Sequence, residues 1–236
     1  TTNGTQNHTL VRKSTVTSGN TDWSASAGTA AENSEWIVLD QDTWDYVGSH
    51  PHTNLEAQDN SLLFSEYAEG SSNHKYLEIY NGTGASVALT NYQIAQSTNG
   101  GGWQYYHTFP SGYSIADGDV WVITTDQADA SIQAVADEVL SYPSVVHHNG
   151  DDARGLISIS GTDTTWIDII GDPNNDPGSG WDVAGTSNAT ANHTLVRKTS
   201  VISGNTSWAS SAGTDATDSE WIVYEQNTWT DVGSHT

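Results

Sequence analysis

Apolar and polar residues alternate with a period of two over many short stretches of this chain, and turn-forming residues separate the stretches. The first pair, residues 62–67 and 76–80, flanks Gly70-Ser71-Ser72-Asn73 and predicts strand, connection, strand. Strict alternation places Leu63, Ser65 and Tyr67 on one face and Phe64 and Glu66 on the other. Further strands are expected at 92–95, at the aromatic run 103–109, at 119–125, and at 156–159 and 166–170, the last two joined by a hairpin loop over 161–164. One segment has helical spacing. Thr125 or Asp126 can cap it, Ala128, Ile132, Val135, Ala136 and Val139 recur three and four residues apart, and it ends before Pro143. Its apolar stripe is expected to pack across an open end of the fold. Many short strands, frequent turns and one short inserted helix predict an all-β sandwich.

A long internal repeat divides the chain. Asn7-His8-Thr9-Leu10-Val11-Arg12-Lys13 recurs as Asn192-His193-Thr194-Leu195-Val196-Arg197-Lys198, and Ser34-Glu35-Trp36-Ile37-Val38 recurs as Ser219-Glu220-Trp221-Ile222-Val223. Val47-Gly48-Ser49-His50 recurs as Val232-Gly233-Ser234-His235, and the offset of about 185 residues holds without a gap at about two-thirds identity. Residues 1–52 therefore read as the closing strands of one repeat unit plus the start of a linker, and residues 53–236 as a complete unit. Within the first part, Thr9–Arg12, Trp36–Leu39 and residues 44–47 are the expected β segments. Two or three strands cannot cover their own apolar face, so these require completion by strands like 62–80 and 156–170, from an adjacent repeat or from another subunit.

The opening hairpin, residues 62–83, followed by Asn91-Tyr92-Gln93-Ile94, Phe109-Pro110 and Ile115-Ala116-Asp117-Gly118-Asp119-Val120-Trp121-Val122-Ile123, resembles lamin-tail domains. These are Ig-like sandwiches found at the C terminus of nuclear lamins and, often in tandem, in secreted bacterial proteins. The resemblance spans about residues 60 to 235 and implies an Ig-like β-sandwich. The helical insert and the aspartate-rich loops depart from the lamins, so lamin partners such as DNA or nuclear-envelope proteins do not carry over.

The formal net charge of −23, from 6 Lys and Arg against 29 Asp and Glu, changes the picture of partners. Such a field repels phosphate backbones and anionic lipid, so nucleic acid is not expected. No apolar run reaches the roughly 20 residues needed to cross a bilayer, so membrane insertion is not expected either. With no Cys, disulfides and thiolate metal sites are excluded. With no Met, the chain reads as a processed or excerpted piece of a longer product. Its acidic, Lys-poor, Trp-, Thr-, Asn- and Gly-rich composition suits an extracellular or cell-surface protein.

Candidate chemistry is sparse. No converging pair of carboxylates is legible, and Glu66, Glu69 and Glu78 read as solvated or cross-strand-paired groups. Adjacent His147 and His148 point to opposite faces of an extended chain, and Asn149-Gly150-Asp151-Asp152 resembles a turn that precedes a strand in bacterial lamin-tail domains. The loop 171–183 is the most suggestive, because Asp172, Asn174 and Asp176 have the alternate-residue oxygen spacing that begins a Ca²⁺ loop. Pro177 then stands where such a loop needs Gly, and Val183 where it needs Glu, so a rigid turn delivering Trp181 to the core is the favoured explanation of the segment. No Gly-x-Ser-x-Gly elbow or phosphate loop is present. Sequons occur, for example at Asn7, Asn81, Asn192 and Asn205, as the abundance of Asn and Thr alone would produce, and Asp163-Thr164-Thr165 resembles a short O-glycosylation signal. Trp23, Trp36 and Trp44 repeat as Trp208, Trp221 and Trp229, which favours packing over stacking on sugars.

These features predict a non-catalytic extracellular structural repeat, without catalytic or cofactor-binding residues, that forms a stalk, filament or surface array. Its expected partners are itself, head to tail, or adjacent repeats of the same chain. The alternative is an accessory or carbohydrate-binding module of a larger secreted hydrolase or nuclease. Ca²⁺ at Asp172, Asn174 and Asp176 is the one cofactor the sequence suggests.

Overall fold

The computed structural model describes residues 4–16, 18–44 and 61–235. The chain divides into two compact units, residues 1–59 and 60–236. The expected linker lies outside the described residues up to position 60, as do residues 45–47, and Trp44 belongs to no strand.

In the first unit, β1 (Thr9–Arg12) pairs antiparallel with β2 (Trp36–Leu39), with Arg12 opposite Trp36. Between them runs α1 (Trp23–Ala27). The Asp22 carboxylate caps it by accepting from the Ala25 N–H at 3.2 Å, and Gly28, at φ 65°, takes the left-handed turn that ends it.

The second unit contains β3 (Leu63–Glu69), β4 (Lys75–Tyr80), β5 (Val87–Ala88), β6 (Tyr92–Ser97), β7 (Tyr105–Thr108), β8 (Ser114–Ile115), β9 (Val120–Thr125), α2 (Ala130–Gln133), β10 (Glu138–Leu140), β11 (Ala153–Ser160), β12 (Asp163–Ile170), β13 (His193–Arg197), α3 (Trp208–Ala212) and β14 (Trp221–Glu225). Among the described residues these form a six-stranded sheet in the order β10-β9-β4-β3-β13-β14, a four-stranded sheet in the order β12-β11-β6-β7, and a small β5-β8 pair. Phe64, Tyr67, Leu77, Ile79, Trp121, Leu195 and Trp221 from the larger sheet pack with Ile94, Leu156 and Ile170 from the smaller. Every one of these is buried. The second unit is an all-β sandwich, as its pattern predicts, with the Ig-like architecture that the resemblance implies.

Besides the short helices α1 and α3, which the sequence pattern does not predict, three details differ from expectation. The first is the face assignment on β3. A β-bulge between Phe64 and Glu66 breaks the alternation, so Phe64 and Tyr67 both enter the core while Ser65 and Glu66 turn to the outer face. The second is the helix, which shrinks to the four residues of α2, capped by Asp129 instead of Thr125 or Asp126. Val139 lies in β10, which runs parallel to β9 and pairs Val139 with Thr124. The unpaired hydrogen-bonding edge of β9 outweighs the helical spacing, because Asp137 accepts the Val122 N–H at 2.8 Å and its own N–H donates back to the Val122 carbonyl at 2.9 Å. The third concerns where that segment packs. Ile132 and Ala128 cover the outer face of the larger sheet, against Ala68 and Tyr76, and not an end of the sandwich.

This placement separates residues that helical spacing would treat alike. Ile132→Ala should cost about 2–4 kcal/mol, as a large-to-small change at a fully buried site does, whereas Val139→Lys, at an exposed position, should change stability by less than about 0.5 kcal/mol. Urea denaturation of both variants checks the difference.

Candidate assembly interface

The two sheets are tied together by a buried polar knot. Asp168, opposite Leu156 in the β11–β12 register, is fully buried. Its Oδ2 accepts from Arg197 Nη2 at 2.5 Å and from the Phe64 N–H at 2.8 Å. Its Oδ1 accepts from the N–H groups of Asn205 at 2.9 Å and Ile169 at 3.0 Å. Burial pushes the carboxyl above the ordinary aspartate range, while Arg197 and the backbone donors pull it back down. Arg197 also donates through Nε to the Phe64 carbonyl at 3.2 Å and through Nη1 to Ser211 Oγ at 3.0 Å and Glu220 Oε2 at 2.5 Å. Its guanidinium lies 3.9 Å from the centroid of Trp221. One carboxylate from the small sheet thus fixes β3, β13 and the α3 hairpin of the large one.

The hairpin module β13-α3-β14 has a twin in β1-α1-β2 that repeats its main polar contacts. Arg12 Nη1 donates to Glu35 Oε2 at 2.9 Å, and its guanidinium lies 4.3 Å from the centroid of Trp36. Trp36 Nε1 donates to Ser26 Oγ at 2.9 Å, as Trp221 Nε1 does to Ser211 Oγ at 2.9 Å. Asn20 Nδ2 donates to Glu35 Oε1 at 2.8 Å, as Asn205 Nδ2 does to Glu220 Oε1 at 2.8 Å. The twins differ in what covers them. Leu195, Trp208, Ala212 and Trp221 are buried in the sandwich core, with Val223 packed against it. Their counterparts Leu10, Trp23, Ala27, Trp36 and Val38 line an open groove of about 630 Å³, and Trp23 is 52% exposed where Trp208 is 8% exposed.

A second buried feature escaped the sequence. Glu66 and Glu78 face each other across β3 and β4 on the outer side of the large sheet, both almost fully buried. The segment 226–235 lies over them. Trp229 and Val232 pack with Ala68, Tyr76 and Ile132, and the Gly233 N–H donates to Glu78 Oε2 at 2.7 Å. Glu78 Oε1 accepts from Ser65 Oγ at 2.7 Å and Glu66 Oε2 from the Tyr76 hydroxyl at 2.5 Å, while Glu66 Oε1 is buried without a hydrogen bond. Burial, reinforced by the Glu78 charge, raises the Glu66 pKa to about 8. Burial raises Glu78 to about 7. Two Glu residues between apolar neighbours were a sequence signal, but the strand register was needed to pair them.

Residues 56–171 match the family model of the Lamin Tail Domain. The chain carries a lamin tail domain. No curated protein matches the chain. The match takes in β3 through β12, with Asp168 inside it and Arg197 outside, so the closing hairpin that completes the six-stranded sheet lies beyond the matched stretch of the lamin tail domain.

The other residues that the sequence singles out are spread over the surface, turns and interior of the second unit. Asp172, Asn174 and Asp176 are exposed. Asp172 Oδ1 accepts the Asn174 N–H at 2.9 Å and Asp176 Oδ1 the Gly178 N–H at 2.7 Å, as turn-forming aspartates do. Among the described residues no three His, Asp or Glu side chains are grouped to hold a metal ion. His147 Nδ1 lies 2.8 Å from Ser144 Oγ, whereas buried His148 reaches the Ala68 carbonyl through Nε2 at 3.0 Å, so the two rings serve different partners. Burial, with help from Arg154 and Lys75, pushes the His148 pKa far down. Glu69 pairs with Lys75 at 3.2 Å. Asn81 is fully buried, donating to the Ala85 and Ile115 carbonyls at 2.8 Å each, so its sequon is a turn organiser.

Two measurements test this electrostatic arrangement. Asp168→Ala leaves Arg197 buried without its inter-sheet partner and should lower stability by about 3–5 kcal/mol in urea denaturation. Glu66 and Glu78 hold protons in the fold up to about pH 8 and about pH 7, but release them near 4.5 when unfolded. Between those values the folded state binds more protons, so their contribution to stability is full below about pH 4.5 and is lost as the pH rises through 7–8. The melting temperature of the native chain should fall relative to a Glu66→Gln/Glu78→Gln variant as pH rises from 5 to 8. Parallel curves for the two proteins would refute the assignment.

Proposed function

We propose that this chain is a non-catalytic, extracellular or cell-surface structural repeat of a stalk, filament or surface array, joined head to tail or between adjacent repeats through its closing hairpins. The observation that carries this reading is the hairpin module present twice in one chain, once seated in a lamin tail sandwich and once with the same apolar face open. A unit whose last strands close one sandwich while an earlier set awaits another is suited to serial assembly. The net charge of −23 keeps neighbouring units apart except where surfaces match, and it disfavours nucleic acid and anionic lipid as ligands. No helix among the described residues is long and apolar enough to cross a membrane.

A second reading, an accessory module of a secreted hydrolase or nuclease that grips carbohydrate, is favoured by one observation. Trp103 and Trp166 stack at 4.6 Å across Gly155 on the outside of the small sheet, beside exposed Tyr106. Ca²⁺ at Asp172, Asn174 and Asp176 would serve either role by offsetting like-charge repulsion in the loop.

Electron microscopy of a chain carrying several consecutive repeats should give rods that lengthen by a constant increment per repeat. Compact particles of no fixed length, together with specific glycan binding lost on Trp166→Ala, would favour the accessory module instead. If Ca²⁺ occupies the loop, saturating CaCl₂ should raise the melting temperature relative to chelator, and Asp172→Asn/Asp176→Asn should abolish the rise. Coincident native curves would assign the loop to turn formation alone.

A further inference from the structure

We infer that residues 4–44 are the closing hairpin of a separate lamin tail sandwich body, and that the groove and free edge of β1 receive a strand equivalent to β3 together with a buried aspartate equivalent to Asp168. The inference rests on the structural-repeat reading and names the partner of its open surface.

The seated twin specifies the occupant. In the second unit, β13 pairs on one side with β14 and on the other with β3, where Thr194 meets Ala68, Leu195 meets Tyr67 and Val196 meets Glu66. In the first unit, Thr9, Leu10 and Val11 have β2 on one side, and among the described residues no strand pairs with the other. The apolar face matches at five positions, because Leu10, Trp23, Ala27, Trp36 and Val38 in the groove are the counterparts of Leu195, Trp208, Ala212, Trp221 and Val223, which lie in the sandwich core or pack against it. In the seated twin, Trp181 meets Trp208 edge-on at 6.4 Å and the Ala184 N–H donates to the Ala212 carbonyl at 2.9 Å, so the occupant must supply an indole and a backbone donor there.

The polar requirements are equally specific. Arg197 holds Glu220 on its own hairpin and Asp168 from the body. Arg12 holds the matching Glu35, and its side chain is 24% exposed where that of Arg197 is fully buried. Gly204 sits so close to β12 that a Cβ there would lie 2.4 Å from the Ile167 carbonyl oxygen and 2.7 Å from Asp168 Cβ. Its counterpart Gly19 has nothing within 4 Å. The hairpin therefore carries the clearance for a β12-like strand, as well as the cation that such a strand's aspartate neutralises. A body like residues 61–185 whose own hairpin is in place cannot be this occupant, since the β3 edge is already taken by β13. The partner is a body of the same repeat with that edge free.

The test lengthens the full chain by placing a second copy of residues 53–185 immediately before Thr1, which restores the repeat offset. Hydrogen exchange at residues 9–12 and 36–39 should slow by at least about tenfold relative to the 236-residue chain, as strands entering a cooperative sandwich do. Acrylamide quenching of Trp23 should fall accordingly. Gly19→Val supplies an independent readout. It should leave exchange in the 236-residue chain unchanged, because the site is open, and abolish the gain in the lengthened one. Asp168→Ala in the added body alone should do the same. Unchanged exchange on lengthening, or equal effects of Gly19→Val in both chains, would overturn the inference. So would protection that grows with concentration in the 236-residue chain, which would make a second copy the occupant. Protection without rods in electron microscopy would sink the array reading and leave this inference standing.

Discussion

The buried contact between Asp168 and Arg197 is the constraint on which the sandwich depends. Removing a carboxylate and a guanidinium from water is costly, and the mutual attraction offsets that cost only where the remaining donors and acceptors are also satisfied. Here they are. Asp168 accepts three backbone N–H groups besides the guanidinium, and Arg197 reaches the Phe64 carbonyl, Ser211 and Glu220. The partners come from β12, β3 and the closing hairpin, so the pair fixes the relative register of elements that hydrophobic burial alone would let slide. Phe64, at the edge of the bulge in β3, gives its N–H to Asp168 and accepts from Arg197 through its carbonyl, so the pair also grips β3 where its alternation breaks.

The closing hairpin is locally self-sufficient and globally incomplete. Arginine over tryptophan, indole to serine and asparagine to glutamate form within about 24 residues, and they recur in both copies with nearly the same distances. Its apolar face is another matter, since two strands and one turn of helix cannot enclose two indoles. The shape is therefore set by short-range polar contacts, and the stability by whatever sandwich the face is seated in. This division of labour lets the same module sit in a core in one place and line an open groove in another.

The segment 226–235 adds a different kind of closure. It covers the outer face of the large sheet with Trp229 and Val232 and, in doing so, buries Glu66 and Glu78 with few donors to compensate. A strap seated over protonated carboxylates is most secure in acid, which sets this lamin tail domain apart from folds whose surface carboxylates are held ionised by cations.

Sequence alone determined the strands, the sandwich class and the repeat, because period-two alternation, turn residues and identity at a fixed offset are local or directly countable properties. Thr9–Arg12 and Trp36–Leu39 fall where the pattern put them, and β3, β4, β6, β9, β11 and β12 lie within a few residues of expectation. The tertiary structure decided what depends on a partner distant in the chain. The edge of β9 recruited Val139 into β10 against its helical spacing, the bulge reassigned Phe64, and strand register brought Glu66 against Glu78. Asp168 and Arg197 drew no notice in the sequence, since an aspartate in an alternating strand and an arginine in a repeated motif look ordinary until the fold buries them together. Local propensity is readable one segment at a time, whereas a buried charge pair exists only once two segments 29 residues apart share the same dry volume.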